Sequence, residues 1–204
     1  MPAFARRLLR PAWERRHWER VWGGAETPYW LVDEARPAVI AAARDGWLPR
    51  GGTVLEIGCG LGANAAWLAA EGWTVLATDV APSAIARARE RHAGIPRLEF
   101  RVLDACAPDA LHRTFPAILD SGCLHIIPEE LRSRYCDNVL AWSAPGTRYF
   151  LRMGDDVYSP AEAERIARSL FAEAFDFESV SLAPRTSRPD EEKKSVVFRL
   201  VRRN

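Results

Sequence analysis

A chain of 204 residues, 48% of them apolar, is long enough for one domain with a packed core. Its 28 basic and 27 acidic residues give a formal charge of +1, which argues against nucleic acid or an anionic membrane as a partner. The four cysteines show neither a CxxC pair nor metal-ligand spacing, and neither a membrane span nor a signal peptide is recognisable. We therefore expect a cytoplasmic protein that holds no metal and keeps its thiols reduced.

The first 47 residues differ in composition from the rest of the chain. They hold five of the eight tryptophans, interleaved with arginine and glutamate. Aromatic and apolar residues recur at helical spacing over residues 11–22, before a break at Gly23 and Gly24. Residues 33–46 predict a second helix.

These residues, 1–47, are predicted to form a helical cover on a core formed by residues 48–204, within a single domain. An amphipathic helix simply docked on the core is the alternative explanation for any one tryptophan. Because the tryptophans concentrate beside a polar turn at residues 26–29, we favour a lid with some ligand-facing rings. Trp22 and Trp30 are the candidates for such rings.

From residue 53 onward, short β-rich runs alternate with helical patterns. This alternation predicts an α/β fold with a mostly parallel sheet and helices on both faces. Proline, serine and acidic residues mark several helix starts. The predicted strands are 53–57, 74–79, 98–103, 116–120, 147–153, 176–183 and 195–201, and the predicted helices between them are 62–71, 82–92, 128–142 and 160–171.

The last two predicted strands have no helix between them. Two successive strands without a crossover helix must pair antiparallel or leave the sheet. We therefore expect a Rossmann-like sheet of seven strands, in which five parallel strands are followed by an antiparallel C-terminal hairpin. A standard dinucleotide-binding fold has no such hairpin.

The most informative motif spans the end of the first strand. This strand contains Glu56 and runs into three glycines at alternate positions, Gly58, Gly60 and Gly62. Glycine lets the backbone turn sharply and approach a ligand closely. The next strand ends at Asp79, whose carboxylate can accept hydrogen bonds from two ribose hydroxyls. Together these features predict an adenosine-binding half-site.

Two cofactors are compatible with this half-site. Gly58, Gly60 and Ala63 fit the dinucleotide fingerprint, in which alanine can replace the third glycine. Glu56 argues against a dinucleotide, because a negative charge is unfavourable beside a pyrophosphate. The same carboxylate suits S-adenosylmethionine, which carries an α-ammonium group and a sulfonium but no phosphate.

The segment from Glu56 to Gly62 resembles the first motif of the class I S-adenosylmethionine-dependent methyltransferases. The spacing to Asp79 matches the ribose-binding acid of that family. Asp104 resembles the position flanking the adenine, and Asp120 resembles the motif bordering the methyl-transfer site. The resemblance covers residues 50–201 and includes the final hairpin. It implies S-adenosylmethionine as cofactor, S-adenosylhomocysteine as product and methyl transfer as the activity.

A narrower resemblance involves residues 119–128 and Tyr135, which look like the fourth-strand signature of the thiopurine S-methyltransferase-like group. That group includes small-molecule thiol, halide and tellurite methyltransferases. Residues 22–30 resemble its tryptophan-rich turn, with one insertion and an extra aromatic residue. The resemblance implies a small-molecule acceptor, with sulfur favoured as the methylated atom. The alternatives are N- or O-methylation of a small metabolite or natural-product intermediate, and a dinucleotide-dependent or non-catalytic ligand-binding protein.

The resemblance also assigns roles to individual side chains. Glu56 would accept a hydrogen bond from the ammonium group, Asp79 would bind the ribose, and Val80 would lie under the adenine. Asp104 would bind the adenine amino group or merely cap the next segment. The candidate cofactor-binding residues are Trp22, Trp30, Glu56, Gly58, Cys59, Gly60, Gly62, Asn64, Asp79, Val80, Asp104, Ala105, Cys106, Asp120 and Ser121.

Asp120, His125 and Arg152 are the candidate catalytic residues. Asp120 and Ser121 are expected to face the reacting methyl group. His125 would act as a general base or form part of the pocket wall, and Arg152 would bind an anionic acceptor or pair with a following aspartate. Because the sulfonium is already activated, the protein needs to supply proximity and alignment rather than a catalytic dyad. We expect a monomer or homodimer that binds a small-molecule acceptor and neither nucleic acid nor membrane.

Overall fold

A computed structural model describes residues 15–24, 31, 33–108, 111–154, 157–184 and 194–204. These residues form a seven-stranded sheet with helices on both faces. The strands are β1 (Thr53–Ile57), β2 (Thr74–Asp79), β3 (Leu98–Val102), β4 (Phe115–Ser121), β5 (Ser143–Met153), β6 (Phe175–Pro184) and β7 (Lys194–Arg202). The helices are α1 (residues 15–23), α2 (Pro37–Arg44), α3 (Ala63–Ala70), α4 (Pro82–Arg91), α5 (Arg132–Ala141) and α6 (Pro160–Phe171).

The sheet has the strand order β3-β2-β1-β4-β5-β7-β6. Strands β1 to β5 pair in parallel, whereas β7 pairs antiparallel with both β5 and β6. The predicted Rossmann-like sheet with an antiparallel C-terminal hairpin is therefore confirmed. The chain extends the sheet outward from β1 to β3 and then crosses to β4 on the other side of β1. Ligands of open α/β sheets bind at the carboxyl ends of the strands beside such a switch point.

Alternate residues of the central strands enter two separate cores. Leu55 of β1 packs in a core covered by α5 and α6, whereas Val54 packs in a core covered by α2, α3 and α4. Because side chains alternate along a strand, Glu56 lies on the same face as Val54. By the same alternation, Asp120 of β4 faces the α5 side and Ser121 faces the α3 side. This parity separates the polar residues of the ligand edge into two groups.

Most predicted boundaries are confirmed to within one residue, but the predicted helix 33–46 is shorter in the structure. Helix α2 begins at Pro37, and Arg36 before it is extended, with ψ of 133°. The proline ring sterically disfavours the helical region for the residue that precedes it. The acidic residues 33 and 34 therefore lie outside the helix.

Two further elements differ from prediction at their first residues. The predicted helix 128–142 starts at Arg132, after a 3₁₀ turn at Glu129–Leu131 in which the Leu131 N–H donates to the Pro128 carbonyl over 2.9 Å. Strand β5 starts at Ser143 rather than 147, with an irregular register opposite Phe115. Within the described ranges, no helix has the length and apolar composition of a membrane span.

Two glycines with the same backbone angle provide a test of the packing. Gly62 and Gly46 both have φ of +79°, but a Cβ on Gly62 would lie 2.6 Å from the Phe100 ring, whereas a Cβ on Gly46 would meet nothing within 4 Å. Gly46→Ala should cost about 1–2 kcal/mol, the penalty for a left-handed residue with a side chain. Gly62→Ala should cost about 1–3 kcal/mol more, because Phe100 is buried and cannot move aside freely. Urea unfolding of the two variants measures the difference, and equal losses would contradict this packing.

Candidate active site

A pocket of about 300 Å³ opens at the carboxyl ends of the parallel strands, beside the switch point between β1 and β4. Its floor is the turn between β1 and α3. The ends of β2 and β3 form one side, and the ends of β4 and β5 form the other. Trp18, Trp22 and Leu31 from the N-terminal part of the chain also line it. The pocket therefore lies where the sequence predicts a ligand.

The glycines of the floor accommodate the protein's own side chains. A Cβ on Gly58 would lie 2.7 Å from Cβ of Cys123, and one on Gly60 would lie 3.0 Å from the Trp22 ring. Both glycines have positive φ, at +68° and +54°. The glycines thus allow the β4 loop and helix α1 to approach the turn closely, a role that the sequence analysis did not assign to them.

Asp79 at the end of β2 holds the glycine turn. Its Oδ2 accepts a hydrogen bond from the Gly60 N–H and its Oδ1 accepts one from the Ala81 N–H, each over 3.0 Å. Burial raises the pKa of Asp79, and these amide hydrogen bonds oppose the rise. Asp79 is 7% exposed and lines the pocket, so it contacts both the glycine turn and the space where a ligand would lie.

Glu56 is buried at the N-terminal end of α3. The Asn64 side-chain amide donates to Glu56 Oε1 over 2.9 Å, and the Arg36 N–H donates to the Asn64 side-chain oxygen over 2.9 Å. Glu56 Oε2 is buried without a hydrogen bond from the described part of the chain. Burial raises the pKa of Glu56 to about 8, against the opposing effect of the Asn64 hydrogen bond and the Ala65 amide. One carboxylate oxygen is therefore left for a ligand that brings a donor and a positive charge.

The loop after β3 is held by hydrogen bonds that involve Asp104 and Asn138 of α5. Asp104 Oδ1 accepts a hydrogen bond from the Cys106 N–H over 2.8 Å, so Asp104 caps its own turn while lining the pocket. The Asn138 side chain of α5 donates to the carbonyls of Ala105 and Ala107, over 2.8 and 2.5 Å. Asn138 thus fixes the loop that contains three of the predicted adenine-site residues.

Asp120 is located differently from the prediction. Its carboxylate is fully buried and does not line the pocket. Oδ1 accepts from the N–H groups of Gly122 and Cys123, and Oδ2 accepts from the Leu124 N–H and, over 2.5 Å, from the Tyr135 hydroxyl. The strand alternation turns this side chain toward α5, behind the pocket wall. Asp120 therefore shapes the loop after β4, and its carboxylate does not face the pocket as expected.

His125 and Arg152 line the part of the pocket beside that loop, and both are more than 90% buried. Arg152 donates to the Ser195 hydroxyl from the end of β5. Ser121 Oγ, on the same sheet face, is buried without a hydrogen bond from the described residues. Aspartates 155 and 156, the alternative partners of Arg152, lie outside the described residues.

Three of the four cysteines, Cys59, Cys106 and Cys123, line the pocket, and none of the four forms a disulfide. Burial raises the pKa of the Cys59 and Cys123 thiols well above the ordinary value. These two thiols therefore stay protonated near neutral pH and pack as small apolar groups rather than acting as nucleophiles.

Helix α1 is attached to the core beside the pocket. Arg87 of α4 donates to the Trp22 carbonyl over 2.7 Å, and the Ser83 N–H donates to the Glu19 carboxylate over 3.2 Å. Trp22 is buried, whereas Trp18 is partly exposed. Trp30, the second predicted ligand-facing ring, lies outside the described residues.

All predicted site residues except Trp30 and Asp120 line this one pocket. Sequence reasoning missed Arg36, Tyr135 as the partner of Asp120, and Asn138. The proline after Arg36 was a signal, because it can only start a helix there and keeps the preceding arginine extended at the ligand edge. Nothing in the local sequence distinguished Asn138 from a solvent-exposed helix residue.

Comparison with known proteins agrees with this geometry. Residues 54–146, which include the glycine turn and the ends of β2, β3 and β4, match a family model described as a methyltransferase domain. Together with the fold, these matches support a class I S-adenosylmethionine-dependent methyltransferase.

Individual relatives of this chain are similar to it over different lengths. A 2-heptyl-1-hydroxyquinolin-4(1H)-one methyltransferase from Mycobacteroides abscessus is 31% identical over 142 residues, which are 69% of this chain and 62% of the relative. The chain thus spans less than two thirds of that relative. A structure described as the conversion of a disulfide bond into a thioacetal group during echinomycin biosynthesis is 25% identical, with a TM-score of 0.77 and 93% of each chain covered. The N-methyltransferase NodS from Bradyrhizobium japonicum, bound to S-adenosylhomocysteine, shares the fold at 19% identity and a TM-score of 0.72, covering 93% of this chain and 98% of NodS.

The residues of the pocket fit S-adenosylmethionine, the cofactor of this family. The open, buried oxygen of Glu56 requires a donor, and a cationic donor would also relieve the electrostatic cost of ionising a buried carboxyl group. A pyrophosphate would instead bring negative charge close to Glu56 and Asp79. The two buried carboxylates therefore favour a cationic adenosine cofactor over a dinucleotide.

We expect Asp120→Asn to destabilise the loop after β4. An amide has only one acceptor oxygen, so its NH₂ group would face backbone N–H donors in either orientation, at a cost of about 1–3 kcal/mol. Asp104→Asn is the matched control, because the remaining side-chain oxygen can still accept from the Cys106 N–H. Its loss should be below about 0.5 kcal/mol. Urea unfolding compares the two variants, and an equal effect would show that the Asp120 bonds contribute little.

Proposed function

We propose that this chain transfers a methyl group from S-adenosylmethionine to a small-molecule acceptor, with sulfur as the favoured acceptor atom. The observation that carries the proposal is the buried Glu56 carboxyl group with one open oxygen in front of the glycine turn. The match of residues 54–146 to a methyltransferase domain supports the same activity. The small-molecule acceptor is supported by the limited volume of the pocket and by Trp18 and Trp22 in its lining.

The acidic half of the pocket would hold the cofactor. Glu56 and Asn64 would bind the ammonium group, and Arg36, which lines the same pocket, would bind the carboxylate of the methionine part. Asp79 would accept from the ribose hydroxyls, and Asp104 would contact the adenine with Val80 beneath it. When bound, S-adenosylmethionine supplies a methyl group that is already activated on a sulfonium.

The chain's own contribution to the reaction is positioning. The loop held by Asp120 presents Ser121 and His125 to the acceptor side of the pocket, and Arg152 adds a cation there. Trp22, packed on Gly60, would exclude water from the reacting groups. Correct alignment of two bound reactants can supply a large part of the rate enhancement without a catalytic dyad.

Sulfur is favoured over nitrogen and oxygen by two considerations. Residues 119–128 resemble the thiol-methylating group, and the structural neighbour with a TM-score of 0.77 is described by the conversion of a disulfide into a thioacetal. The alternatives have support as well, since NodS is an N-methyltransferase and the curated relative is named for a hydroxyquinolone. Labelled S-adenosylmethionine with a panel of thiols, phenols and amines separates these options.

Asp79 provides the test of cofactor binding. Asp79→Asn removes the charge and, because both carboxylate oxygens accept backbone N–H groups, also sets its NH₂ group against the Gly60 or the Ala81 N–H. Hydrogen bonds to charged groups contribute about 1.5–3 kcal/mol. Calorimetry should show S-adenosylhomocysteine binding to the wild type and binding that is about 10- to 100-fold weaker in the variant. Wild-type protein that binds NAD but not S-adenosylhomocysteine would overturn the proposal, and an unchanged affinity in Asp79→Asn would overturn the ribose assignment.

Glu56 should make cofactor binding depend on pH. With a pKa of about 8 in the ligand-free protein, this carboxyl group is mostly protonated at pH 6.5 and must ionise to pair with an ammonium group. Affinity for S-adenosylhomocysteine should therefore rise about tenfold between pH 6.5 and pH 8, and proton release should accompany binding. Glu56→Gln should bind more weakly, with a flat pH profile. Parallel profiles for wild type and variant, measured by calorimetry in two buffers, would contradict this role.

A further inference from the structure

A buried asparagine of helix α5 contacts the loop that follows β3. Asn138 is 5% exposed and lies in the interior of the helix, next to Val139, which packs in the apolar core. Asparagine is a weaker helix former than alanine or leucine, and a buried amide is costly unless hydrogen bonds satisfy it. The contribution of Asn138 to the structure must therefore come from the hydrogen bonds that its side chain makes.

These hydrogen bonds reach two carbonyl groups of the β3 loop, residues 103–107. The Asn138 NH₂ group donates to the Ala105 carbonyl over 2.8 Å and to the Ala107 carbonyl over 2.5 Å. Because both partners are acceptors, only the NH₂ end of the amide can face them. The two carbonyls lie on either side of Cys106, which lines the pocket. A single side chain thus fixes the loop on both sides of a pocket residue.

The peptide unit between Ala105 and Cys106 connects this contact to the pocket. In a planar trans peptide, the C=O and N–H groups point in opposite directions. The bond from Asn138 to the Ala105 carbonyl therefore turns the Cys106 N–H away from α5. That N–H donates to Asp104 Oδ1 over 2.8 Å, and Asp104 is partly exposed and lines the pocket. The orientation of the Asp104 carboxylate thus depends on a side chain of α5.

The same peptide unit is the centre of a tight turn. The Ala107 N–H donates to the Asp104 carbonyl over 3.1 Å and closes this turn. Turns of this kind occur in forms that differ by a flip of the central peptide. The hydrogen bond from Asn138 to the Ala105 carbonyl opposes such a flip. Loss of that bond would therefore release the central peptide and, with it, the orientation of the Asp104 carboxylate.

We propose that Asn138 is a positioning residue for recognition of the cofactor's adenine, and that it acts through the peptide between Ala105 and Cys106 and through the Asp104 carboxylate. This inference rests on the proposed function, in which Asp104 contacts the adenine. An oriented carboxylate accepts a hydrogen bond from the purine amino group but repels an oxygen at the same position. Asn138, which does not itself line the pocket, thereby contributes to the selection of adenosine over other nucleosides.

The test compares two probes that differ at a single purine position. S-inosylhomocysteine carries an oxygen where S-adenosylhomocysteine carries the amino group. Calorimetry on the whole chain should show that the wild type binds S-adenosylhomocysteine about tenfold more tightly than S-inosylhomocysteine. Asn138→Leu, which has a side chain of similar size but no donor, should reduce this preference to about twofold. Asn138→Ser keeps one donor and should give an intermediate preference, and it supplies the measurement if Asn138→Leu does not fold.

Two further variants separate positioning from stability. Val139→Ala is the matched control, because Val139 is the next residue of α5, is fully buried and packs only as an apolar side chain. It should lower the stability of the fold and leave the preference between the probes unchanged. Asp104→Asn should reverse the preference, because its oxygen can still accept from the Cys106 N–H while its NH₂ group donates to the purine oxygen.

Each alternative result has a definite meaning. An unchanged preference in both Asn138 variants, or an equal fall in Val139→Ala, would show that Asn138 only stabilises the fold and would overturn the inference. A wild type that does not favour S-adenosylhomocysteine, or an Asp104→Asn variant that keeps the wild-type preference, would overturn the contact through which Asn138 acts. Failure of the wild type to bind either probe would instead overturn the proposed function itself.

Discussion

Burial of carboxylates at the ends of neighbouring parallel strands is the constraint on which the rest of this site depends. Glu56, Asp79 and Asp120 end or nearly end three adjacent strands and are all less than 10% exposed. A buried carboxylate is costly unless donors satisfy it. Asp79 and Asp120 therefore accept hydrogen bonds from backbone N–H groups of the neighbouring loops. These loops form walls of the pocket.

The three acids differ in how many hydrogen bonds their carboxylates accept. This difference distinguishes the acid that only stabilises the fold from the acids that can bind a ligand. Asp120 accepts four hydrogen bonds and is fully enclosed. Asp79 accepts one backbone bond on each oxygen and remains in contact with the pocket. Glu56 has a single side-chain donor and one open oxygen. The least satisfied acid is thus the one best suited to bind a cationic ligand.

Strand parity decides on which side of the wall each residue acts. Asp120 and Ser121 are neighbours in sequence, yet Asp120 turns toward Tyr135 and Ser121 lies on the same face as Glu56 and Arg152.

Close packing at the glycine turn connects the N-terminal helix and the β4 loop to the pocket. Cys123 and Trp22 occupy the space that Cβ atoms at Gly58 and Gly60 would fill, so the turn joins the β4 loop and α1 to the cofactor floor. A substitution in the β4 loop or in α1 would therefore alter the shape of the glycine turn, and with it the floor of the pocket.

The order and type of the elements, the glycine turn and the acids at the strand ends could all be read from the amino-acid sequence alone. These features are local, because period-2 and helical patterns, proline at helix starts and glycine at positive φ are encoded within a few residues. Three features became visible only in the folded chain: which acids face the pocket, the support of the site by Asn138 and Arg36, and the approach of His125 and Arg152 to Gly122. Those outcomes depend on residues brought together from distant parts of the chain, where strand register and the space between packed side chains decide which atoms meet.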